Sequence, residues 1–419
     1  MPNFLVQGQH ALNGEIAISG SKNAALPIIA ACLLTKEPCI LNNVPDISDV
    51  HTMLSILESI GAKVAFKNHQ VFVEAKDISG TSISHEQVGK LRASILVMGP
   101  LLGRAGEVQM AFPGGCVLGK RSVHAHTHAL KSLGAEIVDD EAKLHLKVGK
   151  PKGARVIMAE ASVTATENAI MMAVLAEGST EIRWAAMEPH VQDLCNFLNK
   201  MGAKITGIGS HTLQIEGVSE LSGANHAVTS DYLETGTLAL AGVLTKGNLT
   251  LTNCHPEDLD SFWQKLEEVG ASFELSENKV IIRPVKELRS VEKLRTAVYP
   301  GFATDLQAPF AVLLTQADGE SKIYETLFEG RLNYLYELQR MGAEIDMLSP
   351  DQALIHGPTK LRGVPIASCD IRAGAAMVLA ALIAEGETEI SNINYIDRGY
   401  EMLDEKLRSL GAKIERRGA

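Results

Sequence analysis

The sequence predicts an α/β protein built from six repeats of about 70 residues, grouped into two lobes of three repeats each. The main evidence is a Gly-Ala motif followed by a strand-like segment, which recurs at intervals of 68 to 73 residues. A second motif, typified by LAEGSTEI and IAEGETEI, recurs in step with it. The Gly-Ala copies are IGAKV, LGAEI, MGAKI, VGASF, MGAEI and LGAKI, which begin at Ile60, Leu133, Met201, Val269, Met341 and Leu410.

Each repeat shows the same order of local patterns. In the first repeat an apolar helix over residues 23–34 is followed by a strand over 39–44. An amphipathic helix comes next, with apolar residues at the three- and four-residue spacing of one helix face. We expect Gly61 to end that helix, because glycine adopts the left-handed conformation that a helix C-terminus needs. An alternating apolar pattern over 63–75 then predicts a hairpin.

The two chain ends look like the halves of one hairpin. The last copy, GAKIERRGA, contains only a first arm, whereas FLVQG at residues 4–8 resembles the second arms of other repeats. The sequence therefore predicts that both termini share one sheet. The predicted lobes are residues 1–20 with 230–419, and residues 21–229, which carry Cys116.

Composition excludes several classes of protein. The chain is 46 % hydrophobic with a mean hydropathy of +0.06, which is typical of a folded protein. Its net charge of −11 argues against general nucleic-acid binding.

No apolar run is long enough for a membrane span, and no secretory leader is recognisable, so we expect a cytoplasmic protein. The six cysteines lack metal-binding spacing, which favours unpaired thiols and predicts neither a metal nor a cofactor.

Cations at predicted helix starts are the first candidates for function. Lys22, Arg92 and Arg372 each lie where the first helix of a repeat begins. A helix N-terminus presents unbonded amide donors and a partial positive charge, so an added cation makes a site for phosphate or carboxylate. The alternative is that these segments are ordinary helix caps with solvated cations.

The loop FPGGCVLGKR over residues 112–121 is the second candidate. Its proline and glycines exclude a regular helix or a central strand. It places Cys116 close to Lys120 and Arg121, and neighbouring cations favour a reactive thiolate. The other five cysteines lie in apolar segments, where a small buried side chain is expected.

Three charged residues late in the chain complete the set. Arg331 and Arg398 follow strand-like segments and precede helices, where ligands meet backbone amides. Asp305 follows a Gly/Pro-containing segment and is either a general base or a helix N-cap.

The His-rich HAHTH segment lacks a carboxylate or cysteine at metal spacing, so we do not predict a metal site there.

Taken together, these motifs resemble the enolpyruvyl transferase family, in its sugar-nucleotide branch, over essentially the whole chain. The matching segments are SGSKNAALP, LRASI, PGGC with GKR, SVTATEN, DYLETGT, TDLQAPF, FEGR, DIRAGAA and IDRGYE. The resemblance implies an inside-out α/β barrel whose two lobes close over a cleft. It also implies transfer of the enolpyruvyl group of phosphoenolpyruvate to the 3-hydroxyl of UDP-N-acetylglucosamine, with loss of phosphate, at the start of peptidoglycan synthesis.

The resemblance also implies a role for individual residues. Cys116 would donate a proton to the methylene carbon of phosphoenolpyruvate, and Asp305 would accept the proton of the sugar hydroxyl. Residues expected to bind phosphoenolpyruvate are Lys22, Asn23, Arg121, Arg331, Arg372 and Arg398, with Lys22 and Arg398 counted as catalytic. Residues expected to bind the sugar nucleotide are Arg92, Arg121, Ser122, Val123, His124, Ala125, Glu160, Ser162, Val163, Asp305 and Leu327.

Three positions depart from the family pattern. Ser122 and His124 stand where proline and aspartate are common, and Glu160 stands where some members have lysine. Two other functions remain as alternatives. One is an enzyme of the same fold that acts on shikimate 3-phosphate, and the other is an inactive paralogue that binds a UDP-sugar and regulates a partner.

Overall fold

The computed structural model describes residues 2–112, 122–139 and 143–418, which form two compact units. Within the described residues, the terminal unit comprises residues 2–19 and 230–418, and the central unit comprises residues 20–112 and 122–229. Each unit contains its own continuous cluster of buried apolar side chains.

The first two strands belong to the terminal unit, and the chain then builds the central unit. The two strands are β1 (Asn3–Gln7) and β2 (Asn13–Ala17). The first central repeat contains α1 (Lys22–Ala31), β3 (Cys39–Asn42), α2 (Ser48–Ser59), β4 (Lys63–Lys67), β5 (Gln70–Glu74) and β6 (Ser82–Ile83). The second contains α3 (His85–Lys90), α4 (Met98–Ala105), β7 (Glu107–Met110), α5 (His124–Ser132), β8 (Glu136–Asp139), β9 (Leu144–Lys147) and β10 (Arg155–Ile157). The third contains α6 (Val163–Ala173), β11 (Ser179–Arg183), α7 (Pro189–Lys200), β12 (Lys204–Thr206), β13 (Thr212–Glu216) and β14 (Asn225–Ala227).

The terminal unit repeats this order. Its first full repeat contains α8 (Tyr232–Leu244), β15 (Asn248–Thr252), α9 (Asp260–Glu268), β16 (Ser272–Ser276), β17 (Lys279–Arg283) and β18 (Lys293–Arg295). The next contains α10 (Thr304–Leu314), β19 (Gly319–Tyr324), α11 (Leu335–Arg340), β20 (Glu344–Ser349), β21 (Gln352–Gly357) and β22 (Ile366–Ala367). The last contains α12 (Ile371–Ile383), β23 (Glu387–Ser391), α13 (Leu403–Ser409) and β24 (Lys413–Arg417). Short 3-10 helices cover Cys32–Leu34, Arg92–Val97, Pro256–Leu259, Arg331–Tyr334 and Ile393–Arg398.

Every sheet follows one plan, which confirms the predicted repeats. The described residues form six four-stranded sheets, three in each unit. In the sheet β14-β3-β5-β4, the hairpin β4–β5 is antiparallel, β5 pairs antiparallel with β3, and β3 pairs parallel with β14. Because β14 comes from the third repeat and β3 from the first, this pairing closes the three repeats of the central unit into a ring.

The shared sheet at the chain ends is also confirmed. Strand β1 lies between β23 and β24, with Phe4 opposite Ile390 and Leu5 opposite Glu415. It therefore supplies the second hairpin arm that the last repeat lacks. Strand β2 pairs in parallel with β15 and completes another sheet of the terminal unit.

The first helices of the repeats form the interior of each unit. In the terminal unit α8, α10 and α12 contact one another, and every residue of α8 is buried. In the central unit α1 and α4 both contact α6. A helix that is apolar around its whole circumference must be covered on all sides, and the sheets of the same unit cover these helices. The α/β class with buried helices agrees with the prediction.

Glycine ends the second helix of each repeat, as the sequence predicts. The six glycines of the Gly-Ala motif have φ angles between +84° and +106°, which glycine adopts without a side-chain clash. They are Gly61, Gly134, Gly202, Gly270, Gly342 and Gly411. The first predicted strand is shorter than expected and ends at Asn42, because Asn43 has a φ of +55° and turns the chain away from the sheet.

None of the helices in the described ranges combines the length and apolar character that crossing a bilayer requires.

In several repeats, the residue directly after the strand that follows the first helix has a left-handed backbone conformation. Asn43, Asn253 and Asn392 occupy this position with φ angles of +53° to +58°, and Trp184 occupies it after β11 with a φ of +58°. Asparagine tolerates this conformation better than a bulky residue. Since Trp184 is 51 % exposed, we expect Trp184→Asn to raise the free energy of unfolding by about 1 kcal/mol in denaturant titration.

The matched control at this position is Trp184→Val. A β-branched side chain is disfavoured at positive φ, so this variant should be less stable than the asparagine variant. If the asparagine and valine variants unfold at the same denaturant concentration, backbone conformation does not limit stability here.

Candidate active site

In the terminal unit, Asp305 holds two buried arginines. Its Oδ1 lies 2.6 Å from Nη2 of Arg331, and its Oδ2 lies 3.0 Å from Nε of Arg372. Both arginine side chains are less than 5 % exposed, whereas Asp305 is 27 % exposed. Burying two cations is costly unless a counter-charge accompanies them, and this carboxylate provides it.

The N-cap interpretation of Asp305 is wrong. Ala303 is the N-cap of α10, and Asp305 is the second residue of the helix. A carboxylate in the first turn still interacts favourably with the positive end of the helix dipole. This position also directs the carboxylate to residues that lie 26 and 67 positions further along the chain.

Arg331 is positioned by a tight turn and several contacts. Gly330, with a φ of +70°, precedes the 3-10 helix that begins at Arg331. Nη1 of Arg331 donates a hydrogen bond of 3.1 Å to Oγ1 of Thr304, and the guanidinium lies 5.2 Å from the ring centre of Phe328. Burial lowers the pKa of Arg331, but the charges of Asp305 and Asp370 outweigh burial and raise the pKa above its usual value. Arg331 is therefore a permanent cation.

Glu325 orders the loop before Arg331, although the sequence did not single it out. Its buried carboxylate accepts hydrogen bonds from Thr304 Oγ1 at 2.8 Å and from the backbone N–H of Leu327 at 2.9 Å. It thereby fixes Leu327, whose side chain is 38 % exposed, and ties the loop to the start of α10.

Arg372 lies in the first turn of α12 and has one unsatisfied donor. The N-cap Asp370 accepts from the backbone N–H of Arg372 at 2.7 Å, and the guanidinium lies 5.1 Å from the ring centre of Tyr400. Burial lowers its pKa, whereas Tyr400 and Asp305 raise it more, so the pKa lies above its usual value. Nη1 is buried and has no hydrogen-bond partner among the described residues. A buried cationic donor of this kind is suited to an anionic ligand.

The alternative of solvated cations at helix caps is wrong for Arg372, which is 4 % exposed. Arg398 is half-buried and is the last residue of its 3-10 helix. Gly399 follows it, and a Cβ at this position would lie 2.4 Å from Cγ2 of Ile371. The backbone beside Arg398 therefore packs directly against the first residue of α12.

In the central unit, Lys22 begins α1. Ser21 caps the helix by accepting a hydrogen bond of 3.4 Å from the N–H of Ala24. Nζ of Lys22 lies 3.6 Å from Oδ2 of Asp49, and the lysine side chain is 12 % exposed. Asn23, the next residue, is half-buried. A cation and an amide thus share the first turn of a capped helix, where anions are favoured.

Residues 122–125 lead into the start of α5, which begins at His124. Oγ of Ser122 accepts from the N–H of His124 at 3.0 Å, Val123 is the N-cap, and Ala125 is buried. The exposed ring of His124 stacks on the ring of His128 at 5.8 Å between centroids. Nε2 of His128 lies 3.0 Å from the carbonyl oxygen of Ile157.

Three further predicted nucleotide contacts, Glu160, Ser162 and Val163, lie at the start of α6. Ser162 is the N-cap, its N–H donates 2.7 Å to the carbonyl oxygen of Glu160, and Val163 is the first helical residue. Glu160 is exposed, whereas Ser162 and Val163 are half-buried.

His126 is a residue of α5 that contacts α6, and it was not among the predicted site residues. Its Nε2 is 2.9 Å from Oγ1 of Thr164, and its Nδ1 is buried without a hydrogen-bond partner in the described ranges. Burial, followed by the charge of Arg92, lowers the pKa of His126 to about 4. His126 is therefore neutral at physiological pH. No signal in the sequence indicated His126 itself, because its contact with Thr164 joins residues 38 positions apart in the chain.

The predicted residues Cys116, Lys120 and Arg121 lie outside the described residues. Among the described cysteines, Cys32, Cys39, Cys195 and Cys254 are buried and Cys369 is half-buried. Burial raises the pKa of Cys195 to about 12 and that of Cys254 to about 11. These two thiols are poor nucleophiles at neutral pH.

The lowered pKa of His126 predicts how stability depends on pH. Because the folded-state pKa is about 4 and the ordinary value is 6.5, the unfolded chain binds a proton in this interval and the folded chain does not. Stability should therefore fall as the pH drops from 6.5 to 4. We expect His126→Gln to remove a contribution of about 1.4 kcal/mol per pH unit within this window, measured by denaturant unfolding at each pH.

His128→Gln is the control, because His128 lies on the same helix and is exposed. A difference in unfolding free energy between wild type and His126→Gln that stays constant from pH 4 to 6.5 would contradict this assignment.

The sequence is similar to a family of transferases over nearly its whole length. A family profile described as EPSP synthase (3-phosphoshikimate 1-carboxyvinyltransferase) matches residues 6–407. The chain is 44 % identical to a UDP-N-acetylglucosamine 1-carboxyvinyltransferase of Methylacidiphilum infernorum, covering 99 % of both chains. It is 45 % identical to the enzyme of the same name from Proteus mirabilis, also over 99 % of both.

Solved structures show the same fold. The enolpyruvyl transferase NikO from Streptomyces tendae matches with a TM-score of 0.90 and 24 % identity, over 99 % of this chain and 98 % of that one. An EPSP synthase from Acinetobacter baumannii matches with a TM-score of 0.75 and 17 % identity, over 100 % of both chains.

Proposed function

The chain belongs to the EPSP synthase family, and within it to the UDP-N-acetylglucosamine 1-carboxyvinyltransferases, and we propose that it catalyses the reaction of that name. The reaction transfers the enolpyruvyl group of phosphoenolpyruvate to the 3-hydroxyl of UDP-N-acetylglucosamine and releases phosphate. It would begin the synthesis of peptidoglycan precursors. We place it in the cytoplasm, where the unpaired state of the five described cysteines is favoured.

The observation that carries this proposal is the pair of buried arginines on Asp305. Phosphoenolpyruvate combines a carboxylate with a phosphate that carries a charge of about −1.5 to −2 at pH 7. Such an anion requires fixed cations with donors available to it. Nη1 of Arg372 is a buried donor without a partner in the described part of the chain, and Arg331 lies on the same aspartate. We assign the substrate carboxylate to Arg331 and Arg372.

Asp305 and the carboxylate of phosphoenolpyruvate would compete for Arg331 and Arg372, and this competition would make Asp305 a stronger base. Both oxygens of Asp305 accept hydrogen bonds from arginine. A substrate carboxylate that binds the arginines would draw these hydrogen bonds away from Asp305. A carboxylate that loses cationic donors becomes a stronger base, so binding of the anion would prepare Asp305 to accept a proton.

The chemical step then proceeds by addition and elimination. The sugar 3-hydroxyl gives its proton to Asp305 and its oxygen bonds to C2 of phosphoenolpyruvate, while Cys116 gives a proton to C3. The tetrahedral ketal then returns a proton from C3 to the thiolate of Cys116, the bond from C2 to the phosphate oxygen breaks, and the double bond re-forms. Phosphate leaves with the electron pair of that bond, stabilised by Lys22, Asn23, Arg121 and Arg398.

The sugar nucleotide is assigned to the helix starts of the central unit. The N-terminus of α6 presents backbone donors beside Ser162, and α5 begins within the segment that follows Ser122. The residues proposed to bind it are Arg92, Arg121, Ser122, Val123, His124, Ala125, Glu160, Ser162, Val163, Asp305 and Leu327.

Phosphate release with defined substrates tests the function. We expect the purified chain to release phosphate from phosphoenolpyruvate only when UDP-N-acetylglucosamine is added. Release that depends on shikimate 3-phosphate would assign the chain to the other branch of the family. Binding of the sugar nucleotide without release under either condition would favour an inactive binding protein.

Asp305→Asn separates catalysis from binding. Asparagine keeps the size of the side chain and one acceptor oxygen but cannot accept the hydroxyl proton as a carboxylate does. We expect kcat to fall by about 10²- to 10⁴-fold, while the Kd for UDP-N-acetylglucosamine changes by less than about threefold. Turnover and calorimetric titration measure these two quantities.

Asp346→Asn is the control for loss of a charge. Asp346 lies on β20 of the same unit and pairs with His356 at 2.9 Å on the surface. Its variant should retain normal turnover. If Asp305→Asn lowers affinity and kcat in equal proportion, Asp305 has a binding role and not the role of a base.

A further inference from the structure

Arg416, in the last strand of the chain, forms a bidentate ion pair with Asp397. Its Nη1 and Nη2 each lie 2.8 Å from one carboxylate oxygen of Asp397, which is the residue before Arg398. Two parallel hydrogen bonds between a planar guanidinium and a carboxylate fix both the distance and the orientation of the pair. Strand β24 thus holds the end of the 3-10 helix that contains Arg398.

Further contacts hold Arg416 itself in place. Nη2 lies 2.9 Å from Oδ1 of Asp404, and the guanidinium lies 4.9 Å from the ring centre of Phe4 on β1. Burial raises the pKa of Asp404, but hydrogen bonds from Arg416 outweigh burial, so the pKa lies below its usual value. The pKa of Arg416 is raised, first by its hydrogen bonds to Asp397. The arginine is therefore a fixed cation between two carboxylates.

The chain is also held immediately after Arg398. Gly399 packs so closely on α12 that a Cβ would lie 2.4 Å from Cγ2 of Ile371. The buried Tyr400 places its hydroxyl 3.0 Å from Oγ1 of Thr237 and its ring under Arg372. Arg398 therefore leaves a backbone that is anchored on one side by Asp397 and on the other by Gly399 and Tyr400.

We propose that Arg416 is a positioning residue for Arg398 and thereby sets the affinity for the anionic substrate. This inference rests on the proposed function, in which Arg398 contacts the phosphate of phosphoenolpyruvate. Arg416 acts in two ways. It fixes the point from which the Arg398 side chain extends, and it compensates the charge of Asp397, which would otherwise weaken the positive field around Arg398.

Loss of the Arg416 charge should weaken the binding of phosphoenolpyruvate. Without Arg416, the charge of Asp397 would lie next in sequence to a cation that is proposed to bind a dianion. An uncompensated carboxylate would attract Arg398 to itself and repel the phosphate. Both effects weaken binding of phosphoenolpyruvate, whereas the nucleotide contacts assigned to the central unit would be unaffected.

The experiment compares Arg416→Gln with Arg417→Gln. Arg417 is the adjacent residue, its side chain is 52 % exposed, and it pairs only locally with Glu415 among the described contacts. We expect Arg416→Gln to raise the KM for phosphoenolpyruvate about tenfold, to leave the KM for UDP-N-acetylglucosamine within about twofold, and to change kcat little. Arg417→Gln should behave like wild type. Equal increases in both KM values, or unchanged KM values, would overturn the proposal.

A double-mutant cycle with Arg398→Gln tests whether Arg416 acts through Arg398. If it does, Arg416→Gln should raise the KM for phosphoenolpyruvate much less in the Arg398→Gln background than in wild type. Fully additive effects would contradict the proposal. Arg416→Lys, which keeps the charge but loses the bidentate geometry, provides a milder variant if the glutamine variant is unstable, and it should raise the same KM by a smaller factor.

These outcomes are distinct from failure of the proposed function. Wild-type protein that releases no phosphate with UDP-N-acetylglucosamine would overturn the function itself. Wild-type activity combined with a normal KM for phosphoenolpyruvate in Arg416→Gln and Arg416→Lys would overturn only the role of Arg416.

Discussion

The charge balance at Asp305 is the constraint on which the candidate site depends. Arg331 and Arg372 are almost completely buried, at the start of a 3-10 helix and in the first turn of α12, and each would be costly there without a counter-charge. One carboxylate pairs with both arginines, and Nη1 of Arg372 is a buried donor without a hydrogen-bond partner in the described ranges. A protein that only needed stability would be better served by apolar residues here. The arrangement is reasonable if an anionic substrate completes it.

The repeat architecture explains why these residues meet. The helices α8, α10 and α12 occupy equivalent places in successive repeats and contact one another in the interior of the terminal unit. Their N-terminal turns converge, since Arg372 of α12 pairs with Asp305 of α10 and also feels the charge of Asp231 at the N-cap of α8. Each repeat therefore contributes one helix start to a common region. Differences in the polar residue at each start create a chemically varied site from nearly identical scaffolds.

Sequence patterns were sufficient for the repeats, the glycine helix ends and the pairing of the two termini, because each can be recognised by comparing equivalent positions of the repeats. They were not sufficient for the partners of Asp305, which lie in other repeats, and a local capping rule gave the wrong alternative for that residue. The role of His126 could not be predicted from its neighbours in sequence, because its environment is set by α6 and by Arg92. Arg416 looked like an ordinary charged residue of a hairpin arm until its contacts with Asp397 were known.

The sheet that contains both chain ends also contributes to the position of Arg398. Because β1 lies between β23 and β24, Phe4 from the start of the chain and Arg416 from its end contact each other beside the segment that contains Arg398. The last hairpin is thus completed only when both termini are in place. A strand that lacked this partner would leave backbone groups exposed at a sheet edge and would hold Arg416 loosely. Arg416 therefore takes part both in the sheet that joins the two chain ends and in the positioning of Arg398, the proposed phosphate contact. Pairing of the two termini and placement of Arg398 depend on each other for this reason.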